Sequence, residues 1–134
     1  MSIVKVRAAL ETALNGMSPA LSTAWENNAF VPPVSTTPYQ KAFVMPATPD
    51  NPEYGSSYSE NGIFQVTLMF PLQTGTNAVA ERAELLRTTF FRGASFINSG
   101  VTVNITRTPE ISAGTVDGDR FSVPVKIRFS AFIS

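Results

Sequence analysis

NGIFQVTLMFPLQTGTNAVAERAELLRTTFFR, residues 61–92, decides the fold. A strand pattern comes first: Phe64, Val66, Leu68 and Phe70 take one side, and Gln65 and Thr67 the other. Ile63 and Met69 make that second side partly apolar, so the strand is expected to be covered on both faces. Pro71 closes it, because proline brings no N–H to a ladder. Thr74-Gly75-Thr76-Asn77 then reads as a turn and a helix cap, with Thr76 or Asn77 accepting from the free amides of the first turn. From there the period changes from two to about 3.6. Val79, Ala83, Leu86 and Phe90 fall on one stripe, and Gly93 is placed to stop the helix in a left-handed conformation. The stretch is a core strand feeding a helix that folds back across the same sheet.

Upstream, residues 2–15 predict a first helix with Ile3, Val6, Leu10, Ala13 and Leu14 as its apolar stripe. Ser2 is the expected cap, Asn15-Gly16 the stop, and Pro19 bars continuation. Thr23–Asn27 reads as a short strand around Trp25, and Tyr39–Met45 as a second one. Asn28–Pro33 is a stiff extended piece whose prolines keep it out of a central ladder. Residues 46–61, PATPDNPEYGSSYSEN, lack periodicity and are long for a loop inside a compact domain. Tyr54 and Tyr58, with acids Asp50, Glu53 and Glu60, suit an arm that contacts a partner.

Downstream, Phe96-Ile97 leads into an Asn98-Ser99-Gly100 turn, and Val101, Val103 and Ile105 alternate as a strand buried on one face. Pro109 and Ile111–Val116 make a bend and a further short strand. Asp117-Gly118-Asp119 is a hairpin turn. The last strand alternates from Phe121 to Ile133 and reads as the longest in the chain. Pro124 inside it predicts an edge position or a bulge. The order predicts one α+β domain over residues 1–134, a mostly antiparallel sheet of four to six strands with two helices packed on one face.

Composition narrows function. Hydrophobic residues make up 43% of the 134 and charged ones 15%, a globular balance. Ten basic and ten acidic residues cancel, so no global field draws the chain to nucleic acid or anionic lipid. A nearly neutral surface resists self-association poorly, which favours a protein that assembles. There is no cysteine and no histidine. Thiol chemistry, Cys-based zinc sites and Ser-His-Asp catalysis are excluded, and the commonest general base is missing. No apolar run is long enough for a helical membrane span, and no apolar region follows Lys5 and Arg7 as in a signal peptide. The chain is therefore expected in the cytoplasm.

Local motifs read as structure before chemistry. Thr74-Gly75-Thr76 lacks the lysine and second glycine of a phosphate loop. Asp117 and Asp119 offer two carboxylates where calcium wants six or more oxygens. Glu81 and Glu84 beside Arg82 and Arg87 read as a solvated helix face with weak pairs. Trp25, Phe30 and Tyr39 read as core or rim aromatics instead of a base-stacking platform. Lys126 and Arg128 share a strand face. On these residues alone, a small non-catalytic module binding a sugar or peptide remains open.

The order of signals resembles the tail terminator family of long-tailed phages and prophages. The residues that carry it are Trp25–Pro33 after a first helix, Pro38-Tyr39, the Pro46-Ala47 exit and the Gly62–Val66 strand ending at Pro71. After them come the Gly75 turn into a helix with Ala80, Arg82 and Ala83, and the closing Asp117–Val125 hairpin. The resemblance implies a non-enzymatic structural protein without cofactors. It implies a ring, commonly six-fold, on the head-proximal end of the tail tube, ending tube polymerisation and enabling head–tail joining. The implied partners are further copies of the chain, the tube protein and a head–tail connector or stopper. DNA would be met only in passage, and a membrane not at all. Another head–tail or tube component shares the same build. The implied location is the host cytoplasm during assembly and then the virion tail. Trp25, Phe30, Pro32, Pro33, Tyr54 and Tyr58 are the candidate interface residues, and Lys126 and Arg128 the candidates for facing the lumen.

Overall fold

A computed structural model describes residues 2–51 and 54–133; the side chain of Ser2, the expected cap, and Glu53 of the arm lie outside the described part. The elements run α1 (Ser2–Asn15), β1 (Ser22–Trp25), β2 (Tyr39–Pro46), β3 (Tyr58–Pro71), α2 (Asn77–Thr89), β4 (Ser95–Asn98), β5 (Val101–Ile105), β6 (Glu110–Ile111), β7 (Thr115–Asp117) and β8 (Arg120–Ile133). The α+β class holds, but the sheet is larger than expected. Eight strands join it in the order β1-β2-β3-β8-β5-β4, with β6 and β7 also on β8. It is also mixed, since β1 and β2 run parallel. The added strands are two to four residues long, too short to show an alternation in sequence. Ser95–Asn98 is one of them. It forms a hairpin with β5 through Ser99 and Gly100, both at positive φ, as a two-residue turn of the primed type requires.

Two long strands are the frame. β3 and β8 are each 14 residues and pair antiparallel from Tyr58↔Ile133 to Pro71↔Arg120. The last strand is thus matched in length, and it is central, not an edge. Pro124 is tolerated there for a local reason. A strand residue's N–H and C=O point to the same side, and the Pro124 carbonyl accepts from Ser112 N at 2.9 Å. Its missing N–H therefore faces the break between β6 and β7, where β8 briefly lacks a partner strand.

Phe64, Val66, Leu68 and Phe70 of β3 join Val123, Val125, Ile127 and Phe129 of β8 in one core cluster with both helices. Val6, Leu10 and Leu14 supply the α1 stripe, and Val79, Ala83, Leu86 and Phe90 the α2 stripe, all buried. α1 lies on β4 and β5, while α2 lies on β3 and β8. Phe90, just past α2, touches Phe64 at 5.9 Å and Phe96 of β4 at 5.3 Å between ring centroids, tying the helix end to both halves of the sheet.

The face opposite the helices is covered only at one end. Residues 26–38 form the crossover that a parallel pair needs, and Phe30 packs on Tyr39 at 5.3 Å there. Near it Thr67 and Met69 are buried; farther along β3, Ile63 and Gln65 are only half-buried. The expectation of a strand covered on both faces holds for half its length. The α2 cap also differs: Thr76 is the N-cap but makes no side-chain capping bond. The Ser18–Pro19 peptide after α1 is cis.

Candidate assembly surfaces

Strand register places the bare sheet face residue by residue. Met45, Ile63 and Arg128 form one row across β2, β3 and β8; Phe43, Gln65 and Lys126 the next; Lys41, Thr67 and Pro124 the third. Basic and apolar side chains are interleaved, with Met45 and Phe132 at 42% and 50% exposure. Among the described residues, Lys41, Lys126 and Arg128 make no ion pair. Glu110 of β6 stands opposite Lys126 in the ladder. Lys126 and Arg128 do share this open face, as their spacing predicts.

The arm is a hairpin loop. Pro46 closes β2, Tyr58–Asn61 belong to β3, and Asp50 bridges to Ser59, which shortens the irregular stretch expected over 46–61 to residues 47–57. Glu60 is buried within it. Tyr54 is fully exposed at the far end, whereas Tyr58 is half-buried in the strand. The loop and the Trp25–Pro33 segment do not converge on one site. Trp25 sits at the end of β1, opposite Ala42, and packs partly against the core. Pro32 is exposed and Pro33 half-buried.

Three charged residues hold these surfaces in place, and none stands out in the sequence as doing so. Arg120, 2% exposed, donates to the carbonyls of Thr37, Pro33 and Val34, the latter two at 2.8 and 2.9 Å. Its guanidinium lies 4.8 Å from the centre of the Tyr39 ring. One buried cation thereby clamps the crossover onto the sheet. Glu26 accepts from Val44 N at 2.6 Å and from Arg7 Nη1 at 2.9 Å, joining β1, β2 and α1. Burial pushes its carboxyl up, but the Val44 amide and Arg7 outweigh that and hold it below the ordinary value. Glu11 nearby is raised, chiefly by burial, against the pull of Arg7.

The α2 charges are not a solvated face of weak pairs. Arg82 is 6% exposed and donates through Nη1 to the Pro19 carbonyl. Arg87 donates from Nε to the Pro109 carbonyl at 2.9 Å. Tertiary acceptors win because both side chains lean off the helix onto loops that lack backbone partners. A signal existed for Arg82: it lies three residues after Val79 and four before Leu86, on the buried stripe itself. Burial lowers its pKa from the arginine value. Beside it opens a cleft of about 390 Å³ walled by Pro19, Leu21, Pro38, Phe70, Ala78 and Leu85, with Glu81 also lining it.

A bare basic–apolar sheet face, a projecting hairpin loop and a half-filled cleft define a small α+β domain built to be contacted. The chain belongs to the phage tail terminator protein family, whose sequence model matches residues 5–129. It is thus a structural component of the phage tail. No curated protein matches its sequence. Nine chains of solved structures do. One is 27% identical with a TM-score of 0.81, covering 100% of this chain and 98% of its own, under a title that states no function.

Proposed function

We propose that this protein caps the head-proximal end of the tail tube as a ring of identical copies, ends tube polymerisation and presents the surface that joins the head. The observation that carries this reading is the family match across residues 5–129. A head-to-tail ring needs two different complementary surfaces on each copy. The hairpin loop with Tyr54 is one candidate, and the Trp25–Pro33 segment with Phe30, Pro32 and Pro33 is the other. Tyr58 anchors the loop in β3. Six copies is the expected number. The partners are then further copies, the tube protein and a connector or stopper. The row of Lys126 and Arg128 suits a lumen through which DNA passes, because scattered cations meet phosphates without reading sequence. Assembly would take place in the host cytoplasm.

The test is genetic and read by electron microscopy. Particles assembled without this protein should have tubes of irregular, excess length and unattached heads. Tails of uniform normal length that attach to heads would falsify the reading.

A further inference from the structure

Arg82 is an incomplete clamp. Its Nη1 takes the Pro19 carbonyl, but Nε and Nη2 are buried and have no hydrogen-bond partner among the described residues. A buried guanidinium is ordinarily satisfied, since leaving its N–H groups unused is unfavourable. The same fold shows what a completed clamp looks like. Arg120 holds three backbone carbonyls of the extended, proline-containing stretch around Pro33, Val34 and Thr37, with Tyr39 beside it. Arg82 has one such carbonyl and an apolar cleft in place of the rest of the segment. The cleft volume, about 390 Å³, falls in the range of pockets that enclose a short ligand. Glu81 lines it, which disfavours an acidic occupant and favours neutral carbonyls.

From this geometry we infer that the cleft is the docking site for residues 46–51 of a second copy of this chain, whose backbone carbonyls complete the Arg82 clamp. That stretch, Pro46-Ala47-Thr48-Pro49-Asp50-Asn51, is exposed throughout, carries two prolines and leads out of a strand edge, the same chemistry that Arg120 holds within one chain. Arg82 lines the cleft, and rotation of its long side chain turns the two unused N–H groups towards the incoming carbonyls. The inference rests on the ring reading and names the two surfaces that meet.

The probe is the end-capped heptapeptide of residues 45–51, MPATPDN, titrated into the isotope-labelled full chain and followed by NMR. Shifts should be confined to the amides of residues 78–85 and the Arg82 Nε–H, and a scrambled peptide should leave them in place. Arg82→Lys should weaken binding by about tenfold, because a point charge replaces a forked donor. Ala78→Gln, which narrows the cleft without touching Arg82, should also weaken it and guards against an Arg82 variant that fails to fold. Equal shifts with the scrambled peptide, no shift at saturating peptide, or undiminished binding in both variants overturn the proposal. Failure here leaves tail-length control untouched, so the two readings fall separately.

Discussion

Arg120 and Glu26 show how single charged groups set the shape of a chain with few charges. Arg120 is buried at the start of β8, and its three carbonyl partners lie more than eighty residues earlier in the chain. Replacing it with methionine keeps the bulk and orphans those carbonyls. At ~1–3 kcal/mol for each buried group left unsatisfied, a loss of roughly 3 kcal/mol is expected, read as a lower urea midpoint with an unchanged slope. Glu26 makes a pH prediction. Its folded pKa lies below the ordinary 4.5, so the unfolded chain binds the proton more readily. The stabilisation is therefore present above 4.5 and fades as pH falls through the depressed value. The stability gap between wild type and Glu26→Gln, measured by urea at a series of pH values, should be widest near neutrality and close in acid. A gap independent of pH would remove the carboxylate's role. Glu11, shifted upward, contributes with the opposite sign and is present in both proteins.

At the scale of elements, α2 and the β2–β3 hairpin have different duties. Leu86 is fully buried between α2 and the sheet. Leu86→Ala should cost roughly 2–5 kcal/mol, because the helix–sheet interface cannot close around the missing atoms. Calorimetry or urea unfolding measures it, and a change under about 1 kcal/mol would contradict the packing described. The hairpin loop is expected to behave differently. Excising residues 50–60 would remove strand as well as loop, since Tyr58–Glu60 pair with Ala131–Ile133. Replacing residues 51–57 by a short glycine-rich turn spares the ladder. The folded NMR pattern should survive while assembly is lost; a collapsed spectrum would show that the loop supports the fold instead. Gly62 marks why the hairpin stem is intolerant: an added Cβ would stand 2.5 Å from the Met45 carbonyl and 2.9 Å from the Phe129 ring.

For the whole molecule, the expectation is a chain that waits for the tube end before closing into a ring. Sedimentation of the isolated protein over a wide concentration range should show a monomer or a weakly associating species. A stable dimer counts against a head-to-tail ring, because a two-fold contact uses up one surface on itself. What sequence alone determined was whatever repeats along a continuous element: both helices, β3, β5 and β8 follow from stripes of 3.6 and two, and the turns from Gly and Asp. Tyr54 in a loop and Lys126 with Arg128 on one face follow from the same local rules. Only tertiary structure decided the short strands, the parallel β1–β2 pair, the place of Pro124 in a central strand and the burial of Arg82, Arg87 and Arg120. The physical reason is common to them. Each depends on a partner distant in sequence, a carbonyl or a strand edge brought close by folding, and no periodicity records where such a partner will arrive.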